Sequence, residues 1–432
     1  MSEYQRKKVH KRPFTNKKVK NLRDDNLIFE DEIEPREEKP VKKKAKKVKS
    51  EDAENFKVIK SGKKLKPGKM IKVILALVAV CLVILCVNFC LPTGIVEWSS
   101  NLFATFGSGE YPVTYDGSLL VDLVQNGSYY YVLNDTSVSA FNMNGKEIFT
   151  DIHGFSNPVL SVSAERALVF DQNGNEAKIY NLSGLVKDVT TKNGIINASI
   201  CRNGSYVIST DGIEYTSTVT VYNKNNKKLY TWNSAKDIIN NAVLSANGKK
   251  LAISCLNVSG GHAVSKLYVL EYNSADPVFQ YDFSDKFVLG IRNTDDGFGC
   301  VTEDDFTWFS WNNYKKTVKS VQDKTVSVCR GYKDNTLIVF NRESDRSDNR
   351  VMLLDPSGEI ITEFDYKSII TDVEFKGDRI IFISDTQINV YSDEAKKLNS
   401  VMCDYGCKRF AICSSERIAV VTDDSINEIS VE

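Results

Sequence analysis

The stretch DVEFKGDRIIFIS, residues 372–384, shows the pattern that decides the fold. A short segment that alternates apolar and polar residues leads into the polar turn Lys376-Gly377-Asp378, and a segment rich in Ile and Phe follows. Alternation with a period of two is typical of a half-buried strand, and a turn between two such segments favours a hairpin. The stretch therefore predicts two antiparallel strands joined by a tight turn.

Similar stretches recur along the chain, and their second strands begin 38 to 47 residues apart. These strands begin near Tyr129, Ala167, Tyr206, Leu251, Phe298, Leu337, Ile380 and Ile418. Each is followed by a loop, an alternating third strand, a turn and a more polar fourth strand. A period near 40 residues with four strands is typical of β-propeller blades, whereas tandem immunoglobulin-like domains would repeat about every 100 residues. The sequence therefore predicts an all-β propeller.

The two ends of the repeat region complement each other. The eighth unit runs out after its third strand, INEISVE at residues 426–432, while the unassigned segment YPVTYDG at residues 111–117 precedes the first unit. Pairing residues 111–116 as the outermost strand of the last blade would close the ring and remove open strand edges. We predict an eight-bladed propeller over residues 111–432; seven blades with an accessory hairpin is the alternative.

One apolar segment precedes the repeats. Residues 73–91 read VILALVAVCLVILCVNFCL, and nineteen helical residues extend over about 28 Å, enough to cross a hydrocarbon core. The segment follows a long hydrophilic tail, so it is not placed like a cleavable signal peptide and indicates an uncleaved signal anchor. Residues 92–110 then form a juxtamembrane linker, whose apolar residues predict either a short amphipathic helix on the membrane surface or a packed connection.

The charge distribution predicts an orientation and a partner for the tail. Residues 1–72 hold 24 Lys and Arg against 12 Asp and Glu, and seven Lys lie just before the span. Basic residues stay on the cytoplasmic side, so we expect a cytoplasmic N-terminus and an extracytoplasmic C-terminal domain in the cell membrane. The tail lacks enough apolar residues to form a core and should be disordered, with its Lys runs against anionic inner-leaflet lipid. Few aromatic residues lie among these charges, so nucleic acid is not an expected partner.

Candidate binding residues lie in three extended connections between second and third strands, at residues 211–216, 256–264 and 343–350. All three open on the same face of a propeller, and extended loops on a rigid scaffold are common binding sites. The residues predicted to contribute to this binding face are Ile213, Glu214, Tyr215, His262, Arg346 and Arg350.

Signals of catalysis, cofactors and metals are weak. His153 and His262 follow the span, and both are expected in loops or at the surface. The segment 171–176 has oxygen ligands that calcium would accept, but Asn-Gly between two strands favours an ordinary turn. We predict no catalytic, cofactor-binding or metal-binding residue.

The cysteines do not form a disulfide scaffold by their spacing. Cys201, Cys329 and Cys413 occupy nearly the same place in three repeats, which favours small apolar fillers of inner strands. Cys403 and Cys407 form a bridge only if the turn between them brings the Cα atoms to about 5.5 Å, and the spacing leaves this open.

With its basic tail to Lys72, its span and the segment GSGEYPVTYDG at residues 107–117, the chain resembles an uncharacterised bacterial family of single-pass membrane proteins with a domain of unknown function. The repeats are more distantly similar to WD-repeat and quinoprotein-like propellers. The Trp-Asp dipeptide is absent, and so is the tryptophan pattern of quinoprotein blades, which argues against a quinone cofactor. The resemblance implies a propeller and supplies no catalytic residues.

Two functional hypotheses follow. The first is a membrane-anchored extracytoplasmic binding or scaffold module, with a protein or a cell-wall glycan at the propeller face. The second is a cell-envelope hydrolase or lyase that uses acidic residues near the propeller axis.

Overall fold

Two helices precede the sheets in the computed structural model, which describes residues 67–91, 93–114, 119–163, 165–259, 261–274, 276–384, 386–403 and 406–432. Helix α1 spans Pro67–Cys90 and α2 spans Ile95–Ala104. The predicted span is thus helical, and α1 begins six residues before Val73. Residues 1–66 of the predicted tail lie outside the described residues.

The strands form eight sheets, or blades, and each holds four antiparallel strands that neighbour one another in chain order, except that the first strand of the chain joins the last blade. The strands of blades 1 to 4 are β2 (Leu120–Asn126), β3 (Tyr129–Asn134), β4 (Ser137–Asn142), β5 (Glu147–Ile152), β6 (Pro158–Ser163), β7 (Arg166–Asp171), β8 (Glu176–Asn181), β9 (Gly184–Thr190), β10 (Ile195–Ile200), β11 (Tyr206–Asp211), β12 (Ser217–Tyr222), β13 (Lys228–Ser234), β14 (Ile238–Leu244), β15 (Lys250–Ser259), β16 (His262–Glu271) and β17 (Phe279–Asp282).

Blades 5 to 8 continue the same order of four strands. Their strands are β18 (Gly290–Asn293), β19 (Gly297–Val301), β20 (Asp305–Ser310), β21 (Lys316–Ser320), β22 (Thr325–Tyr332), β23 (Asn335–Arg342), β24 (Asp345–Leu354), β25 (Ile360–Lys367), β26 (Asp372–Lys376), β27 (Arg379–Ser384), β28 (Gln387–Ser392), β29 (Lys397–Met402), β30 (Arg409–Ile412), β31 (Arg417–Val421) and β32 (Ser425–Ser430), with β1 (Val113–Thr114) as the fourth strand of blade 8.

The predicted ring closure is confirmed. Strand β1 pairs with β32 through Val113 opposite Ile426 and Thr114 opposite Ser425. These are the two pairs of the ladder among the described residues, and Tyr115 and Asp116 of the predicted segment 111–116 lie outside them. The eight-bladed architecture is therefore the correct one of the two alternatives.

The core is divided between the blades. Each of eight apolar clusters among the described residues joins one blade to the next: blades 1 and 2, 2 and 3, 3 and 4, 4 and 5, 5 and 6, 6 and 7, 7 and 8, and 8 and 1. Alternation along the second strands explains this division. In β7, Ala167 and Val169 face blade 1, while Leu168 and Phe170 face blade 3.

The order of the strands defines two faces of the ring. Turns between second and third strands and connections between blades lie at one end of the strands, which we call the upper face. Turns between first and second strands and between third and fourth strands lie at the other end, the lower face. Two of the three predicted upper-face loops are instead extended hairpins, since β15 pairs with β16 as far as Ser259 and His262, and β24 begins at Asp345. Pairing the two halves of each insertion gives hydrogen-bond partners to backbone N–H and C=O groups that an open loop would leave to solvent.

The structure also decides the predictions for the Cys403–Cys407 bridge, for His153 and for the segment 171–176. Cys403 and Cys407 are disulfide-bonded and lie in the cluster between blades 7 and 8, with their Cα atoms 7.3 Å apart, farther than the separation of about 5.5 Å expected for such a bridge. His153 lies in the connection between β5 and β6, as expected, but its side chain is buried. Its Nδ1 accepts a hydrogen bond from the Phe155 amide at 3.0 Å, and its Nε2 lies 3.0 Å from the Asn134 carbonyl oxygen. The segment 171–176 forms a turn between β7 and β8, as predicted.

Closure by β1 should contribute measurably to stability. Val113 and Tyr111 pack against the cluster between blades 8 and 1, so a fragment 119–432 should melt several degrees below a fragment 107–432, measured by circular dichroism. In the longer fragment, Val113→Asp should reproduce most of the loss, whereas exposed Glu110→Ala should not. Equal melting temperatures for both fragments would contradict a stabilising role of this strand.

Candidate functional site

The inner strands of four neighbouring blades place a charged cluster at the propeller axis. It comprises Asp122 of β2, Arg330 of β22, Asp372 and Glu374 of β26, and Arg409 of β30. Arg330 contacts Asp372 Oδ1 and Glu374 Oε1, each at 3.2 Å, and Arg409 Nη1 lies 3.0 Å from the same Asp372 oxygen. Asp122 lies 4.0 Å from Arg409 Nε. The cluster thus links blades 6, 7, 8 and 1 by alternating charges.

Burial changes the protonation of this axial cluster. The Asp372 side chain is 1% exposed and that of Glu374 is 13% exposed. Burial raises the pKa of Asp122 and of Asp372. Burial, followed by repulsion from Asp372, raises the pKa of Glu374 to about 8 and outweighs the attraction of Arg330. The Glu374 carboxyl therefore keeps its proton to a higher pH than an exposed glutamate does.

One oxygen of the cluster has no partner among the described residues. Asp372 Oδ1 contacts both arginines, but Asp372 Oδ2 is buried without a hydrogen-bond partner there. Leaving a buried acceptor without a hydrogen bond costs roughly 1–3 kcal/mol of folding free energy. The Asp372 Oδ2 atom is therefore a candidate acceptor for a hydrogen bond from a water molecule or a ligand at the propeller axis.

A cavity of about 820 Å³ opens above this cluster at the upper face. Asp372, Arg330 and Arg409 form part of its wall, and the connections of blades 5 and 6 add Glu303, Glu343 and Arg346. Its lining contains both signs of charge and no aromatic residue. Such a surface suits a ligand with its own charged and polar groups, because an apolar ligand could not compensate the charges that it would desolvate.

The lower end of the axis is crossed by side chains. Arg202 of blade 3 forms ion pairs with Asp295 of blade 5 and with Asp334 of blade 6, the latter at 3.1 Å. Nearby, Arg292 donates from Nη2 to the Lys333 carbonyl oxygen at 3.0 Å. These contacts border a smaller cavity of about 410 Å³. Of these two cavities, the upper one is the one that the axial cluster lines.

The structure brings only part of the predicted binding face to this cavity. Arg346 lies in its wall, but Arg350, on the same strand, pairs instead with Glu363 at 2.6 Å and with Asp365 at 3.2 Å. Ile213, Glu214 and Tyr215 lie in the upper-face turn of blade 3, and Ile213 is 93% exposed. His262 begins β16, and the position of its side chain lies outside what the structure describes.

The sequence hypothesis of acidic residues near the propeller axis named none of the five charged residues of the axial cluster and did not foresee its arginines. Their signal was a charge within a first strand whose neighbours are apolar, as in DVEF at 372–375 and RFAI at 409–412. Among the described residues, no group of three or more His, Cys, Asp and Glu side chains is arranged to hold a metal ion.

Eight four-stranded sheets with a polar cavity above a charged axis define this molecule as a β-propeller protein with a candidate upper-face binding site. The chain belongs to DUF5711, a family of unknown function, whose family model matches residues 116–431. None of the curated proteins matches its sequence.

Solved structures share the propeller fold at low sequence identity. The computationally designed Ika8 protein is 10% identical, with a TM-score of 0.52 over 75% of this chain and 100% of that chain. A eukaryotic initiation factor is 11% identical, with a TM-score of 0.51 over 76% and 89% of the two chains. The C-terminal WD40 domain of Sif2 is 10% identical, with a TM-score of 0.51 over 76% and 100%. These similarities show the fold alone.

The raised pKa of Glu374 predicts a pH dependence of stability. The folded protein holds a proton that the unfolded chain releases above about pH 4.3, so the free energy of unfolding should fall as pH rises from about 5 towards about 8. Glu374→Gln cannot ionise, and its melting temperature relative to the parent should increase across that interval. Glu394→Gln, at an exposed turn, is the control and should parallel the parent. A constant difference for Glu374→Gln would contradict the raised pKa.

Proposed function

We propose that this chain is a membrane-anchored extracytoplasmic binding or scaffold module that holds a partner at the upper face of its propeller. The observation that carries the proposal is the cavity of about 820 Å³ at the upper face, which has charged groups of both signs and is lined by the axial cluster and by side chains from several blades. Propellers with WD40-type architecture commonly present one face to partners.

Membrane anchoring is supported by helix α1. The window Ile71–Asn88 has a mean hydropathy of 2.8, and none of it is buried against the rest of the protein. Its large apolar side chains are 40–62% exposed, which is unfavourable in water and favourable in a lipid hydrocarbon core.

The extracytoplasmic orientation is supported by charge and by the disulfide. Seven Lys precede the span, whereas the first acidic residues after it are Glu97 and Glu110. Disulfides persist mainly in oxidising compartments, which agrees with the Cys403–Cys407 bridge in the propeller.

A protein is the favoured partner over a cell-wall glycan. Sugar rings commonly bind against aromatic faces, and the described lining of the upper cavity has none. Its Arg and carboxylate groups suit peptide carboxylates, amines and amides.

Anionic lipid of the inner leaflet is the proposed partner of the basic tail.

The topology can be tested with a membrane-impermeant maleimide on intact wall-free cells of a bacterial host. In a chain with Cys81, Cys86, Cys90, Cys329 and Cys413 replaced by Ala, Ile213→Cys should react in intact cells because that site is 93% exposed. Ser50→Cys, in the tail, should react only after permeabilisation. The opposite pattern would refute the orientation and with it the extracytoplasmic function.

Binding at the upper face should depend on the cavity wall. Crosslinked partners captured from membranes by the full chain should be lost when Arg346→Glu reverses a wall charge. Lys249→Glu, at an exposed lower-face turn, is the matched charge reversal and should retain them. Equal loss, or equal retention, in both variants would contradict an upper-face site.

A second candidate function is a cell-envelope hydrolase or lyase. The observation that favours it is the pair of carboxyl groups Asp372 and Glu374, which both contact Arg330 at 3.2 Å, with the pKa of Glu374 raised by burial as that of a general acid would be. Turnover of cell-wall fragments by the purified chain, abolished by Glu374→Gln, would support this function over the binding module.

A further inference from the structure

Helix α2 is fixed to the propeller through its polar side. The Glu97 carboxylate accepts two hydrogen bonds from Arg166, from Nε and Nη2, both at 2.7 Å. Asn101 donates to the Glu165 carbonyl oxygen at 3.1 Å and accepts from the Leu182 amide at 3.1 Å. The groups contacted belong to lower-face turns and strand ends of blade 2. The polar side of α2 therefore lies against the lower face.

This contact is buried and specific. The side chains of Arg166 and Glu97 are 7% and 15% exposed, and Asn101 is 4% exposed. Arg166 also donates from Nη1 to the Lys224 carbonyl oxygen of blade 3 at 2.6 Å. A bidentate Arg–carboxylate pair has a defined geometry, and losing one partner would leave a buried charge uncompensated. Helix α2 is therefore held in one orientation against the propeller.

The opposite side of α2 is apolar and exposed. Val96 is 79% exposed, Phe103 is 68% and Leu102 is 40%, and Phe106 just beyond the helix is 56% exposed. At 3.6 residues per turn, Leu102 and Phe103 project away from the side that carries Glu97 and Asn101. Soluble surfaces rarely expose apolar side chains this densely, so the side calls for an apolar environment.

The position of α2 along the chain identifies that environment. Only Leu91–Gly94 separate the end of α1 at Cys90 from the start of α2 at Ile95, and four residues extend over at most about 14 Å. The Ile95 amide also donates to Asn88 Oδ1 at 2.9 Å. If α1 spans a bilayer, α2 must lie at the surface of that bilayer.

We propose that α2 is an interfacial helix, with its apolar side in the lipid leaflet where α1 ends and its polar side holding the lower face of the propeller towards the membrane. The upper cavity then opens away from the membrane, where a partner can reach it. This inference rests on the proposed membrane span. An amphipathic helix of this kind buries its apolar side about 5–10 Å into the boundary between headgroups and acyl chains.

The test uses the full chain in phosphatidylcholine vesicles, with Cys81, Cys86, Cys90, Cys329 and Cys413 replaced by Ala so that each variant carries one fluorescent label. A label on Phe103→Cys should be quenched several-fold more by lipids brominated near the headgroup than a label on Ile213→Cys. A label on Leu77→Cys, within α1, should be quenched most by lipids brominated deep in the acyl chains. Quenching at 77 without quenching at 103 would overturn the interfacial helix and leave the span intact, whereas no quenching at 77 would overturn the span itself.

The orienting role of α2 has a separate readout. Energy transfer to a headgroup dye should be stronger from Lys249→Cys at the lower face than from Ile213→Cys at the upper face. Glu97→Ala should reduce that difference while the label at 103 stays quenched, and Glu110→Ala, an exposed carboxylate in the same connection, should change neither. An unchanged difference in Glu97→Ala would refute the orienting contact. Self-quenching at 103 that grows with protein density would show that a second copy covers the apolar side and would likewise overturn the proposal.

Discussion

Each blade buries both of its faces against its neighbours, and the rest of the structure depends on this packing. A four-stranded sheet such as blade 2 has apolar side chains on both sides of β7, so it cannot be stable with either side in water. Each blade needs a neighbour on both of its faces, and all eight blades have two neighbours only when the last blade packs against the first. The cluster of Tyr130 and Phe141 with Val421 and Ile426 closes the ring.

Closure of the ring also explains why charges can persist at the axis. The inner strands of eight blades converge there, and side chains that point inward meet partners from other blades rather than solvent. Asp372 and Arg409 come from different blades, and each would be costly to bury alone. Since the ring holds these strands in place, the charges are paired before any ligand arrives, and the cluster forms a rigid polar floor beneath the upper cavity.

The same rigidity gives the lower face a different role. Its turns are short, and those of blade 2 present Glu165 and Leu182 to the polar side of α2. The arrangement separates the two ends of the propeller, with one end fixed to the helices and the other carrying the cavity.

Much of this architecture was readable from the sequence because it depends on local periodicity. Alternating segments of period two, turn residues at regular spacing and a chain ending after the third strand of its last unit were enough to predict eight blades and closure by the segment near Val113. Apolar length alone predicted helix α1. The extended hairpins of blades 4 and 6 were predicted as loops, because an insertion between strands does not show from its composition whether its two halves pair.

The candidate site was decided by the tertiary structure. Asp122 and Arg409 belong to the first and last blades, and only closure of the ring brings them to the same axis. Likewise, nothing local to IVEWSSNLFA shows that Glu97 will meet Arg166 rather than solvent. The sequence by itself determined which segments become strands and how many blades they form, because those properties depend on neighbouring residues. The structure decided which charges meet and which face stays open, because those properties depend on residues that only folding brings together.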